Sequence, residues 1–269
     1  MAVHFVGAGP GAADLLTVRA TRLLAAADVV LYPGTYLDPA VLGHAGPRAA
    51  LVDTQDLDLD QITGHLVAAD QAGKDVVRLA SGDLSLYSAL AEQTRRLDAA
   101  GVPWDVTPGV PAYAAAAAAV GRELTVPLLA QSVVLTRAQA RSTAMPETES
   151  LAAFAATRAT LVLHLAITRT RQLMAELEHA YGADCPVVVV YRASQPGELV
   201  LRGTVATIAG AVDAAGLRQA AVILVGRALN PLPGGESYLY DAERDRGGKR
   251  SAPRPGPLGD GAGRRPAGE

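Results

Sequence analysis

The sequence holds a single cysteine, Cys185, so it can form no intramolecular disulfide and assemble no cysteine-cluster zinc site. Nor has it a basic excess: 24 Lys and Arg stand against 27 Asp and Glu, a formal charge of −3, which leaves no overall positive field to hold a nucleic acid backbone. Long hydrophobic runs are missing too. The longest apolar tract, Tyr113 to Val120, is mostly alanine and falls far short of the ~20 residues that span a bilayer. No Lys or Arg precedes the first apolar stretch and a glycine loop follows it closely, so no secretory signal is expected. The five histidines, His4, His44, His65, His164 and His179, show no metal-pair spacing. His4 and His164 fall within strand patterns, where a structural role is the expectation. These absences point to a reducing, cytoplasmic setting with no metal, no membrane and no nucleic acid partner.

What is present is 49% apolar residues in a chain of 269, enough for two modest domains at roughly 100–200 residues each. Short β-branched runs recur between helix-length segments: Val3 to Val6, Val29 to Tyr32, Val76 to Leu79, Val133 to Thr136, Leu161 to Leu165, Val187 to Tyr191 and Val222 to Val225. This alternation predicts an α/β fold with parallel sheets covered by helices. Thr17 is placed to cap a helix whose Ala20, Leu23, Leu24 and Ala27 form one stripe. A second helix carries Leu59, Ile62 and Leu66, and a third carries Leu173, Met174, Leu177 and Tyr181, with Gly182 placed to end it. An alanine-rich helix over Ala112 to Val120 precedes the boundary, which falls near Pro127 to Gln131. The expected division is an N-terminal α/β domain over 1–128, a C-terminal α/β domain over 129–240 and a tail over 241–269. From Arg246 onward 11 of 24 residues are Gly or Pro and six are Lys or Arg, so the tail cannot offset its ordering entropy by burial and is expected to be disordered.

Three glycine-bearing loops follow strands and precede helices. Gly7-Ala8-Gly9-Pro10-Gly11 can turn tightly and approach a ligand without a Cβ in the way. Gly7, Gly9 and Ala12 satisfy the dinucleotide pattern G-x-G-x-x-G/A, which keeps an NAD-dependent oxidoreductase open. Against it, Pro10 lacks an N–H that a pyrophosphate would want, and the second strand ends in Tyr32-Pro33-Gly34 with no acid for a ribose; Asp28 lies at its start. A non-catalytic nucleotide-binding sensor is a further alternative. The second loop runs from Ser81 to Tyr87, and its Asp83 is either a ligand contact or the cap of a following helix. The third is Thr107 to Pro111. All three belong at the carboxyl edge of one sheet, where open α/β sheets bind ligands.

Taken together, GAGPGAADLLTVR at 7 to 19, SGDLSLYSA at 81 to 89, TPGVPAYAAAAAA at 107 to 119, LTRA at 135 to 138 and VVVYRAS at 188 to 194 resemble the tetrapyrrole methylases. The likeness runs in order from about Val3 to Gly226 and is greatest to the carbon-methylating enzymes of the cobalamin branch. It implies two α/β domains, each with a central sheet flanked by helices, S-adenosylmethionine (SAM) in the cleft between them, and a homodimer. Carried over by position, the cofactor contacts are Pro10, Ser81, Gly82, Asp83 and Leu86, then Pro111 and Ala112, then Leu165 and Ala193 of the second domain. Uroporphyrinogen-methylating relatives carry an acid where Pro33 stands, which points away from that branch. The nearest relatives carry T-A-x-M where this chain has Thr54-Gln55-Asp56-Leu57, and often His where Ala80 stands.

Methyl transfer from a sulfonium needs in-line placement more than a covalent nucleophile, and orientation alone supplies ~7–11 kcal/mol. No catalytic residue is singled out by sequence. The tetrapyrrole that the resemblance implies bears many carboxylates, for which Arg137, Arg141 and Arg192 are the candidates, since guanidinium forks suit carboxylates. Tyr87 and Tyr113 are candidates to line the ring. A cobalt-containing ring and a metal-free one are both compatible, because a metal held by the tetrapyrrole needs no ligand from the protein.

Overall fold

The computed structural model describes residues 2–34, 37–138, 144–230 and 237. The described residues from 2 to 230 fall within one compact unit. Arg141 and the tail from 241 lie outside the described residues.

The first sheet has the order β3-β2-β4-β1-β5, from β1 (Val3–Gly7), β2 (Val29–Tyr32), β3 (Ala50–Asp53), β4 (Val76–Ala80) and β5 (Trp104–Thr107). Every pairing within it is parallel, as the alternation predicts. Strand alternation gives it two apolar faces. Val3, Phe5, Val29 and Leu31 pack under α3 (Leu59–Gln71) and α4 (Leu90–Ala99), while Val6, Val30, Val77 and Leu79 pack under α1 (Val18–Ala26) and α2 (Pro39–Leu42). Thr17 caps α1 by accepting from Ala20 N–H at 3.1 Å, and Asp58 with Gln61 forms a capping box at α3.

The second sheet, order β6-β7-β10-β8-β9, corrects the expectation of parallel sheets throughout. Its strands are β6 (Val133–Arg137), β7 (Thr160–His164), β8 (Pro186–Tyr191), β9 (Leu199–Thr204) and β10 (Ala221–Val225). Only β6 and β7 run parallel; β10 is antiparallel to β7 and β8, and β8 to β9. The reason is the short connection over residues 192–198, which closes β8 and β9 into a hairpin and leaves no length for a crossover helix. Leu161, Leu163, Val187 and Ile223 face α6 (Leu151–Ala156), α7 (Thr170–Tyr181) and α8 (Ile208–Ala214). Gly182, at φ +86°, ends α7 as its sequence position predicts.

The opposite face, with Val162, Val188, Val190 and Leu224, is covered by α5 (Ala112–Val120). Thus the alanine-rich helix that leaves the first sheet packs on the second. Its small side chains let the helix lie close to Val162 and Leu224, and Ala115 and Ala116 are buried there.

Candidate active site

Three loops meet at the carboxyl edge of the first sheet, and backbone contact holds them together. Gly9 N–H donates to Gly82 O at 3.1 Å and Gly82 N–H to Gly9 O at 2.7 Å, a bridge between the first and second loops. A Cβ on Gly7 would lie 2.5 Å from Gly109 N and 2.9 Å from Gly82 O, so the loops can approach this closely only because Gly7 has no side chain. Gly82 itself sits at φ +70°, where any other residue would be strained; a Cβ there would meet Ala112 N at an ordinary 3.6 Å.

Asp83 clamps the second loop to the third. Its Oδ2 accepts from Gly109 N–H at 2.7 Å, while Oδ1 accepts from Ser85 N–H at 2.9 Å and from the Ser85 hydroxyl. Burial works to raise this carboxyl, but the hydrogen bonds from Ser85, Gly109 and Leu84 outweigh it and hold it below the ordinary value. The reading of Asp83 as a helix cap is therefore corrected: α4 begins at Leu90 behind Ala89, and the carboxylate serves an inter-loop bond instead.

The first loop also reaches the second sheet's half of the molecule. Ala12 N–H donates to Ser194 Oγ at 3.2 Å, and Gln195 Nε2 donates to Pro10 O at 2.7 Å, across sequence separations of 182 and 185 residues. Hence Pro10 is buried next to the segment that carries Ala193, and Ala193 shares one apolar cluster with Ala112 and Tyr113. The Tyr113 ring packs against that cluster. Leu165 follows β7 at φ +52° with 47% of its surface exposed, an unusual state for a leucine that nothing in its sequence context signals. Leu86 is half-buried beside Tyr87, and Ser81 is exposed at the start of the second loop.

These hydrogen bonds overturn the oxidoreductase alternative. The N–H groups of Ala8, Gly9 and Ala12 are engaged with Ala80 O, Gly82 O and Ser194 Oγ, so they cannot cradle a pyrophosphate. α1 starts only at Val18, behind a short turn over Ala13–Leu15, and points no amino terminus from the loop itself. The sheet order also differs from the 3-2-1-4-5 order of dinucleotide folds. Asp28 accepts from Asp75 N–H at 3.0 Å, a structural duty at the far end of β2.

Across the rim, the Tyr87 ring stands 5.6 Å from the His164 ring at a tilt of 53°. His164 ends β7, pairs in register with Arg137 at the end of β6, and buries an Nε2 that has no hydrogen-bond partner among the described residues. Such an orphaned polar atom costs about 1–3 kcal/mol. Burial also lowers the imidazole pKa and favours the neutral ring. For Tyr87, burial raises the phenol pKa, with Arg137 opposing and Glu149 reinforcing the shift. Arg137 further lines a cavity of about 290 Å³ together with Glu149, Arg169 and Glu176. Arg192, at φ +48°, directs its Nε to Gln195 Oε1 at 3.2 Å.

Ser194, Gln195 and His164 are missed by sequence reasoning, since their partners lie far away along the chain. Arg78 is another: half-buried on β4 with its pKa lowered to about 10 by desolvation, it donates to Thr54 Oγ1 at 3.0 Å and Gln93 Oε1 at 3.2 Å.

Two helix-flanked sheets whose loops close on one rim, with backbone N–H groups unavailable to a pyrophosphate, define a class, and sequence comparison gives it a name. The chain belongs to the tetrapyrrole (corrin/porphyrin) methylases, matching that family over residues 2–209. It is 54% identical over 246 residues to precorrin-4 C(11)-methyltransferase of Rhodococcus erythropolis, covering 91% of this chain and 99% of that protein. Among solved structures it is similar to a cobalt precorrin-4 methyltransferase, with a TM-score of 0.82 at 40% identity, covering 85% of this chain and 96% of the other. It is also similar to the uroporphyrin-III C-methyltransferase of Thermus thermophilus complexed with S-adenosylhomocysteine, with a TM-score of 0.72 at 30% identity, covering 86% and 94%.

Proposed function

We propose that the protein is a SAM-dependent methyltransferase that methylates C-11 of precorrin-4 to give precorrin-5 in cobalamin biosynthesis. The observation that carries this reading is the near-complete match, at 54% identity, to a precorrin-4 C(11)-methyltransferase. The rim of three interlocked loops supports it as the place where a compact nucleoside would sit. The second reading, a cobalt-precorrin-4 substrate, has the support of the solved relative at 40% identity. The higher identity favours the metal-free ring.

The residues present suit SAM. Gly82 carries the second loop past Pro111 and Ala112 of the third at van der Waals distance, and Asp83 fixes the two loops to each other. On this reading Pro10, Ser81, Gly82, Asp83 and Leu86 hold the cofactor from one side, and Pro111, Ala112, Leu165 and Ala193 from the other. When bound, SAM supplies an electrophilic methyl group on sulfur. The chain's part is to orient, exclude water and bind the ring: Arg137 and Arg192 meet its carboxylates, with Arg141 as a third candidate, while Tyr87 and Tyr113 border its face.

The same reading takes 1–128 and 129–240 as the two domains, supported by each sheet being built wholly on one side of that boundary and by the tight turn that Val126 and Ala130 form there. It includes a homodimer in the cytoplasm; among the described residues no helix is long and apolar enough to cross a membrane.

The test is methyl transfer from labelled SAM to precorrin-4, cobalt-precorrin-4 and uroporphyrinogen III. Precorrin-4 should be preferred, with one methyl placed at C-11. Arg137→Ala and Arg192→Ala should raise KM for the tetrapyrrole about tenfold to a hundredfold and leave SAM affinity unchanged. Preference for uroporphyrinogen III would refute the substrate assignment.

A further inference from the structure

His164 holds the one feature of the rim that no loop contact accounts for. Its Nε2 is buried and has no hydrogen-bond partner among the described residues, although Tyr87 stacks obliquely on the ring and Ala138 N–H reaches the His164 carbonyl at 3.2 Å. By strand alternation the side chain lies on the same face of the second sheet as Val162, the face that α5 covers. Leu165, a proposed cofactor contact, is the next residue, and Tyr87 belongs to the loop that carries Asp83 and Leu86. Among the described residues this buried polar atom has no partner, and it lies between groups proposed to hold the cofactor and the ring.

Resting on the methyltransferase reading above, we propose that His164 Nε2 accepts the proton that the tetrapyrrole loses on methylation. When the ring carbon bonds to the methyl, the S–CH3 electron pair stays on sulfur, which becomes a neutral thioether. The ring contributes the pair for the new C–C bond and takes over the positive charge. Loss of a pyrrole N–H proton discharges it: the N–H pair returns to the ring system, and the proton bonds to the Nε2 lone pair, giving imidazolium that later releases it to water. The ring must be neutral to begin, which its burial favours. Around it stand the Tyr87 phenol from the second loop, the Arg137 cation on β6 and, reaching Tyr87 electrostatically, the Glu149 carboxylate before α6.

The test compares wild type with His164→Phe, which keeps a ring against Tyr87, and His164→Gln, which keeps a hydrogen-bonding group that cannot titrate. Single-turnover transfer from labelled SAM to precorrin-4 is followed from below to above the ordinary histidine value of about 6.5. Both variants should bind S-adenosylhomocysteine as wild type does and lose about 10²-fold or more in kcat, and the acid limb of the wild-type profile should be absent from their residual activity. Near-normal kcat in either variant, a surviving acid limb, or an effect confined to KM would overturn the proton-acceptor role. If the Phe variant fails to bind S-adenosylhomocysteine, the Gln variant decides by the same criteria. A wild-type protein inactive on precorrin-4 in this assay would instead sink the substrate reading.

Discussion

Replacing Asp83 by Asn keeps the side chain's shape and removes its charge. In the native rim both oxygens are engaged, Oδ1 with the N–H and hydroxyl of Ser85 and Oδ2 with Gly109 N–H at 2.7 Å. An amide has one acceptor oxygen, so one side must face an NH2 group, donor against donor. Losing a charge-assisted bond costs ~1.5–3 kcal/mol where it is buried. Asp83 is only half-buried, so the lower end applies, about 1–2 kcal/mol. For a chain of this size that is a fall in Tm of about 2–8 °C. If the loosened third loop also misplaces Pro111 and Ala112, S-adenosylhomocysteine affinity falls about fivefold to thirtyfold. Thermal melts and calorimetry read the two effects separately. Burial opposes ionisation of this carboxyl, yet the Ser85, Gly109 and Leu84 hydrogen bonds leave its folded pKa below the unfolded one. The stabilisation is therefore complete above the unfolded value of about 3.9 and is lost as pH falls through the folded value. The wild-type advantage over Asp83→Asn should vanish in that acid window. Unchanged Tm and affinity at neutral pH, or an advantage that persists in acid, would refute the charge-dependent clamp.

Gly7→Ala should be more damaging, because the added Cβ meets backbone at 2.5 Å from Gly109 N and cannot be relieved by a rotamer change. A stable protein with S-adenosylhomocysteine affinity within twofold of wild type, roughly 0.4 kcal/mol, would show that the loops separate freely. Gln195→Ala removes the donor to Pro10 O and should lower stability by ~0.5–1.5 kcal/mol in urea unfolding, with weaker cofactor binding. No change in either would mean that this link carries no load.

Much of this arrangement is legible in sequence where a single residue type is required by local geometry. The loops at Gly7, Gly82 and Gly109 can be placed on one edge because each follows a strand, and the helices α1, α3 and α7 follow from stripe and cap residues a few positions apart. What escapes is set by partners distant along the chain. Leu165 and Ala193 look like ordinary strand-end residues, and only the resemblance to known methylases makes them proposed cofactor contacts. Ser194 and Gln195 gain their roles from Ala12 and Pro10, more than 180 residues earlier. The β9 strand, Leu-Val-Leu-Arg-Gly-Thr, lacks the unbroken apolar run of β8 because it is an edge strand, and with it the antiparallel hairpin goes unread. Asp83 misleads in a different way, since the same residue type serves helix caps and loop clamps, and only the position of Gly109 distinguishes them.

The backbone of the rim carries a further argument. Among the described residues, eight other than glycine have positive φ, and five of them, Tyr87, Ala89, Leu165, Arg192 and Ser194, lie on the segments that close on this rim. Each left-handed residue costs roughly 1–2 kcal/mol, so these segments would relax if nothing held them. Arg192 and Ser194 flank Ala193, and both are tied down: Arg192 N–H to Ala220 O at 2.8 Å, and Ser194 Oγ as the acceptor for Ala12 N–H. The first of these bonds comes from the second sheet and the other from the first loop. Neither sheet alone supplies both restraints, so the conformation that presents Ala193 depends on the two sheets being joined. Strained neighbours on either side of a proposed contact residue, kept in place by bonds from both sheets, are what a cleft needs if its ligand is to bind without reordering the loops, because the ordering entropy has already been met in folding.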